Sequence, residues 1–366
     1  MLVYVHVPFC ARRCSYCDFA IAVRRDTPSE AFATAVLREW DGRQDATGWD
    51  EAPEVETVYL GGGTPSRLEP AALAAILHGI RSRRAVAADA EVTLEANPDD
   101  VTPDRARAWV RLGINRVSLG AQSFHGPTLS WMHRTHSAEQ VAPAVEALRA
   151  AGIRNLSLDL IYGVPQSLGR DWRDDVRRAL ALGPEHLSFY ALTVESGTPL
   201  GKWSERGDVA AAPDQRVAEE YLWASSCLAD AGFVHYEVSN AARPGFRAVH
   251  NAGYWERRPF LGLGPSAHSG WGVERRWNIR EWEAYRAAVS RGADPTAGQE
   301  LLSENQVRLE QAYLGLRTDR GLEEGRVPGP ERALWLASGW ATVSHGRIRL
   351  TGEGWLRLDA LVPRVA

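Results

Sequence analysis

The sequence predicts an α/β protein: a parallel sheet curled into a partial (β/α)6 barrel, followed by a smaller α/β C-terminal domain. Three observations carry this. Short β-branched or Leu-rich runs alternate with helix-like runs through the first half of the chain, the signature of strands joined by helical crossovers. The residues of unusual chemistry fall where those strands should end, and barrels and open α/β sheets keep their sites there. From about Lys202 onward the alternation stops and a different pattern begins.

The expected strands, in order, are Leu2–Val7, Val55–Leu60, Glu91–Glu95, Arg116–Leu119, Asn155–Ile161 and His186–Leu192. They are short and mostly apolar, as strands covered on both faces should be. Between them lie helices expected over Ser29–Trp40, Pro70–Arg81, Pro103–Leu112, Ala138–Ala151 and Trp172–Ala181. Ser29, Thr102 and Ser137 stand as N-terminal caps, the second followed by Pro103. Gly113 and Gly152 stand where a helix closes on a left-handed residue. Beyond Lys202 the reading is a long helix over Asp214–Asp230, a short strand over Val234–Val238, and a stretch rich in Gly, Pro and aromatics from Asn240 to Trp277. A helix over Glu281–Arg291 follows, then helices over Glu304–Leu316 and Pro330–Ser338, a hairpin over Ala341–Thr351 turning at His345-Gly346, and a helix over Gly352–Leu361. Three units result: a barrel over 1–205, a barrel extension over 206–290, and a winged-helix-like domain over 291–366.

The chain has 366 residues, room for one large domain and a smaller one. With 45% hydrophobic and 24% charged residues it is globular rather than disordered. A net charge of −4 argues against a broad nucleic-acid face, so the tail reads as a docking or structural module rather than a DNA reader. No apolar run approaches the roughly 20 residues that span a bilayer. The N-terminus carries neither a basic leader nor a long apolar core, so no signal peptide is expected.

Only four cysteines occur, and Cys10, Cys14 and Cys17 form C-x3-C-x2-C directly after the first strand. Cysteines that close cannot all bridge one another, so a reduced, cytoplasmic compartment and a metal site are expected. Thiolates suit soft metals and iron–sulfur clusters. Three ligands leave one iron of a [4Fe–4S] cluster open to a small molecule, whereas structural zinc prefers four ligands. His6 is the nearest candidate for a fourth. Cys227, in a helix with no partner, reads as a core residue.

The segment Tyr4-Val-His-Val-Pro-Phe-Cys10 through Cys17-Asp18-Phe19 resembles the radical S-adenosylmethionine (SAM) enzymes. Within them it resembles the branch holding the oxygen-independent coproporphyrinogen III oxidases and the HemW-type heme chaperones. The likeness continues in order through GGGTPS, LEANP, LGAQSF, LDLIYGVP and GLGPSAHS, covering at least residues 2–270.

The resemblance implies a barrel of the radical SAM type. It implies SAM chelating the open iron, with sulfonium reduction yielding methionine and a 5′-deoxyadenosyl radical. Gly61, Gly62, Gly63 and Thr64 match the loop against the methionyl part, where small residues let backbone approach a ligand. Glu95 matches the ribose-binding acid, and Gln122, Arg134 and Asp159 match polar positions around SAM. Tyr4 and Tyr16 match positions lining cluster and cofactor.

Two departures from the oxidases point to the chaperones. Phe19 stands where the oxidases carry a further cysteine, and the chain begins nine residues before Cys10, where the oxidases have a longer extension. His250-Asn-Ala-Gly-Tyr-Trp255 resembles the chaperones' HNxxYW motif. The implied function is heme binding and transfer to an acceptor, such as a respiratory hemoprotein, with membrane contact only through that acceptor. No catalytic residue and no nucleic-acid partner are expected, and the assembly is a monomer or a dimer. The alternative is oxidative decarboxylation of coproporphyrinogen propionates. His250 is the expected heme ligand, with His268 and His235 as rivals. Tyr254, Trp255, Phe260, Trp271 and Trp277 offer an apolar surface, and Arg247, Arg257 and Arg258 could pair with propionates.

Overall fold

A computed structural model describes residues 1–43 and 54–365, so Ala366 of the expected tail lies outside it. Six parallel strands form the centre: β1 (Leu2–Val7), β2 (Val55–Gly62), β3 (Val86–Ala96), β4 (Arg116–Gln122), β5 (Asn155–Tyr162) and β6 (His186–Ala191). They neighbour one another in sequence order, the arrangement that successive βα units produce. Thr102 caps its helix through the Arg105 amide at 3.2 Å, and Ser137 forms a capping box with Gln140. Gly113 and Gly152 sit at φ 88° and 108°, in the left-handed region the sequence assigned them.

The sheet extends past the six strands at both edges. Phe260–Leu263 adds in parallel to the free side of β1, and His268–Trp271, Glu274–Asn278 and Thr296–Leu301 continue it antiparallel. At the other edge Asn240–Ala242 and Val234–Glu237 follow β6 antiparallel. The Gly- and aromatic-rich stretch therefore supplies four strands to this sheet, with the helix Val249–Trp255 between the first and second. Strand 296–301 belongs to this sheet although the expected tail domain begins at 291. The tail's own sheet pairs Leu322–Glu323 and Ala341–Ser344 with Arg347–Leu350. His345 and Gly346, at φ 51° and 69°, make the hairpin turn. The expected helix over Gly352–Leu361 is two short ones, Gly352–Trp355 and Leu358–Leu361, broken at Arg357 (φ −115°).

Side-chain alternation divides the barrel into two environments. Val3, Val5, Val7, Val58, Leu60, Leu94, Val117, Leu119, Leu156, Leu158, Leu187 and Phe189 point outward and are buried in the main core. Each gains about 1.5–3 kcal/mol by leaving water. The opposite positions point into the lumen: Tyr59, Glu95, Ser118, Ser157, Asp159, His186 and Ser188. The expectation of strands covered by apolar residues on both faces is thus corrected, since the inner face is a polar wall.

The lower end of the lumen is closed by the helix Val249–Trp255. Glu91, on β3, receives both first amides of that helix, Val249 N and His250 N, each at 3.0 Å. A carboxylate against a helix N-terminus is a favourable pairing. No helix among the described residues is long and apolar enough to cross a membrane.

Candidate cofactor site

The lumen opens at the C-terminal strand ends into a cavity of about 420 Å³, within the size range of small-molecule sites. Cys10, Cys14 and Cys17 line one end and carry free thiols. Cys10 ends the short strand Phe9–Cys10, which pairs with Ala22–Val23 and fixes both ends of the cysteine loop. The loop is anchored in the middle as well, because Ser15 N donates to Met132 O and Ser15 O accepts from Leu200 N.

Donors are aimed at the sulfurs. Thr64 Oγ1 lies 3.4 Å from Cys10 Sγ, and Arg134 Nη1 lies 3.6 Å from Cys14 Sγ. Burial pushes the Cys10 thiol up and the Cys17 thiol up to about 11, so a thiolate there is best supported by a bound metal. Among the described residues no group of His, Cys, Asp and Glu converges on a single metal ion. Three thiols on one short loop suit a cluster with one open iron better than structural zinc, which prefers four ligands. His6 supplies no fourth ligand, since its Nδ1 meets Tyr4 OH at 3.0 Å and its Nε2 meets Ala20 O at 2.9 Å. Cys227 lies apart, in the helix Asp214–Asp230.

Glu95 and Asp159 stand on neighbouring parts of the wall. Tyr59 OH donates to Glu95 Oε1 at 2.8 Å and Gly62 N to Oε2 at 3.0 Å. Burial, with the Asp159 charge adding to it, holds the Glu95 carboxyl up to about 7 despite those two donors. Ser118 Oγ lies 2.9 Å from both oxygens of Asp159, and Ser157 Oγ 3.1 Å from Oδ1. Burial also raises Asp159. Asp159 lies inside β5 rather than at its end, two residues beyond Ser157, which is in register with Ser118 and through it with Glu95.

Arg134 ties the ends of β3 and β4 together by donating to Asn97 Oδ1 at 2.5 Å and Gly120 O at 3.0 Å. Gln122, at the bulged end of β4, adopts φ 62° and lines the cavity, as do Tyr16, Gly62, Gly63 and Thr64. The glycines are required by protein packing as well as by any ligand. A Cβ on Gly62 would stand 2.6 Å from His6 Cε1, and one on Gly63 would stand 2.8 Å from the Pro8 carbonyl carbon. Tyr4 does not line the cavity; it lies behind Gly61, bonded to His6.

The structure places His250 in the helix at the barrel floor. It is 1% exposed, with Nδ1 at 2.6 Å from Thr57 Oγ1 and Nε2 at 2.8 Å from Tyr254 OH. Burial pushes its imidazole down to about 3. Neither nitrogen is free for iron, and the ring packs against Tyr59 at 5.0 Å between centroids. The HNxxYW stretch is the plug of the barrel floor. His235 is likewise engaged, by Ser225 and Val238. The three arginines expected to meet propionates already carry carboxylates: Arg247 with Asp319 at 2.6 Å, Arg258 with Glu56 at 2.7 Å, and Arg257 with Glu310. His268 is exposed instead, its ring stacked on Trp277 at 6.0 Å.

Tyr59, Asn97, Arg116, Ser118, His186, Ser188 and Asn251 also line the cavity and were not singled out from sequence. Their signal was present: RVSLG, LSLDL and HLSFY alternate polar with apolar, the period of a strand with one polar face.

Comparison with known proteins fits this geometry. A model of the radical SAM superfamily matches residues 4–179. A protein named heme chaperone HemW from Mycobacterium tuberculosis is 38% identical over 367 residues, covering 98% of this chain and 93% of its own. The HemW of Synechocystis is 37% identical, with coverage of 92% and 83%. That of Escherichia coli is 35% identical, with coverage of 73% and 69%. Among solved structures, the coproporphyrinogen III oxidase HemN of Escherichia coli, a radical SAM enzyme, shares the fold with a TM-score of 0.81. It covers 100% of this chain and 89% of its own at 20% identity.

Proposed function

The chain belongs to the HemW heme-chaperone family of the radical SAM superfamily, and from that premise we propose that it binds heme and passes it to an acceptor protein in the cytoplasm. It does so on a scaffold that holds one [4Fe–4S] cluster through Cys10, Cys14 and Cys17 and SAM in the adjoining cavity. The observation that carries the cofactor part is the convergence of three free thiols and two buried carboxylates on one cavity.

The cluster, when bound, supplies an electron and an open iron to SAM. The chain's own groups do the rest. Thr64 and Arg134 steady the sulfurs by hydrogen bonds, and Arg134 sets a fixed positive charge beside them. Glu95 accepts ribose hydroxyls, with Tyr59 and the Gly62 amide fixing its orientation. Glu95 and Asp159 together favour a cation in a dry cavity, which the sulfonium satisfies. Glycines at 61–63 keep the β2 end close to β1 and leave the cavity wall as backbone.

With the lumen assigned to SAM, the heme face is placed outside it. Phe19 is exposed beside the cysteine loop, and His268 is exposed with its ring stacked on Trp277. We place heme contact there rather than at His250. Phe19 in the position of the oxidases' extra cysteine supports a carrier rather than a decarboxylase.

Heme and coproporphyrinogen III, tested side by side on anaerobically reconstituted protein, decide the matter. Heme binding with transfer to an apo-hemoprotein, and no protoporphyrinogen formed with SAM and reductant, is expected. Turnover of the porphyrinogen would assign the oxidase activity instead.

A further inference from the structure

The cysteine loop carries a group of unpaired arginines. Arg12 and Arg13 lie between Cys10 and Cys14; both are exposed, and neither side chain has a partner among the described residues. Arg25 is likewise exposed and its side chain unpartnered. It is held beside the loop, because Val23 is in register with Cys10 and Arg24 N donates to Cys10 O at 2.9 Å. Arg67 secures the same backbone, donating from Nη2 to the carbonyls of Arg24 and Arg25 at 3.2 and 2.8 Å. Between residues 10 and 26 four arginines stand against Asp18 and Asp26, in a chain whose net charge is −4.

Exposed arginines elsewhere in the chain meet carboxylates: Arg206 with Asp208 at 2.7 Å, Arg320 with Glu256 at 2.8 Å and Arg357 with Glu353 at 2.7 Å. On the cysteine loop they stand together instead, and like charges so placed repel one another and raise the local positive potential. Cys10, Cys14 and Cys17 are each half-buried, so their sulfurs lie close under this surface. A cluster on those sulfurs takes up one electron for each SAM it reduces. With SAM seated in the cavity, a donor reaches the cluster across the loop, where the arginines are.

We propose that Arg12, Arg13 and Arg25 form a docking surface for a small acidic protein that carries single electrons to the cluster. Guanidinium groups receive carboxylates in two-pronged fashion. Opposite charge on the two partners steers their encounter and raises its rate roughly 10- to 1,000-fold at low salt. The step is one electron passing from the donor to the oxidised cluster. A flavin hydroquinone donor becomes its semiquinone, the cluster gains one negative charge, and no bond forms or breaks. An anionic lipid surface would attract the same arginines but supplies no electron. The electron step rests on the cluster reading above, whereas the charged surface is present with or without the cluster.

The test uses the full chain, reconstituted anaerobically and saturated with SAM, and follows the loss of cluster absorbance by stopped flow. The donors are flavodoxin hydroquinone, an acidic protein, and reduced methyl viologen, a small cation. The wild-type rate with flavodoxin should fall as ionic strength rises. The triple variant Arg12→Glu, Arg13→Glu, Arg25→Glu should react about tenfold more slowly or worse at low salt, with that salt dependence lost. Its rate with methyl viologen should not fall, which separates docking from a damaged cluster. Arg308→Glu, on a tail helix, should behave as wild type. Calorimetric titration of flavodoxin into the cluster-free chain should show the same weakening, so the surface is tested even if no cluster loads. Equal flavodoxin rates and affinities in wild type and triple variant would overturn the proposal, as would equal slowing with both donors. Loss of binding to phosphatidylglycerol vesicles with the flavodoxin rate unchanged would assign the arginines to a lipid surface instead.

Discussion

His250 Nε2 lies 2.8 Å from the hydroxyl of Tyr254, one turn along the same helix. With Thr57 closing on the other nitrogen, the ring is a buried strut between the barrel wall and its floor. His250→Ala should therefore lower stability by about 2–4 kcal/mol, from a cavity and two abandoned hydroxyls. Heme titration of the folded variant should give the wild-type optical and resonance Raman spectrum, while His268→Ala should change it. An altered axial-ligand spectrum in His250→Ala alone would return the iron to His250.

The contrast with the cysteines shows what the sequence could and could not disclose. Cys10, Cys14, Cys17, Glu95 and Gln122 were legible because each stands at or near a strand end, and local pattern locates strand ends. The six parallel strands were legible for the same reason. His250 was not, because its surroundings come from distant chain: Glu91 captures the helix N-terminus across more than 150 residues. The polar inner wall was half-legible. The alternation in RVSLG and HLSFY was there, but short apolar runs suggested two covered faces.

Cluster loading depends on three thiols. Alanine at Cys10, Cys14 or Cys17 should each abolish stable binding of about four irons per chain after anaerobic reconstitution. Cys227→Ala should load like wild type. Iron counts and near-ultraviolet absorption decide it, and stoichiometric zinc without iron–sulfur absorption would refute the cluster.

Glu95 makes stability depend on pH in a direction opposite to a salt-bridged acid. Its folded value, about 7, stands above the ordinary carboxylate value of 4.5. The native state thus holds a proton that the unfolded chain has lost between those two values, so its contribution to stability falls as pH rises from about 4.5 to about 7, then levels off. Glu95→Gln should be more stable than wild type at pH 8, by up to on the order of 3 kcal/mol, and the gap should close toward pH 5. Urea unfolding of both proteins at matched pH measures it; a gap that widens on acidification would mean the carboxyl is not raised. SAM affinity of the same variant should fall by about 1–3 kcal/mol, the cost of losing hydrogen bonds to a charged acceptor.

The tail is fastened to the barrel floor through Arg317. Its guanidinium lies 4.1 Å over the Trp255 ring and pairs with Glu237 at 2.8 Å, a carboxylate with no solvent exposure. The neighbouring backbone is joined as well, by Val238 N to Arg317 O at 3.1 Å and Asp319 N to Tyr236 O at 2.9 Å. Arg317→Met would strand the Glu237 charge in the interior, and breaking a buried pair on one side costs about 3–5 kcal/mol. Adding Glu237→Gln should recover much of that loss, since the stranded charge rather than the missing contact sets its size. Because Trp255 ends the plug helix, Arg317→Met should also speed amide exchange over residues 249–255, while amides in β1 and β2 stay protected. Unchanged stability in Arg317→Met, or a double variant no better than the single, would show that the pair does not anchor the floor.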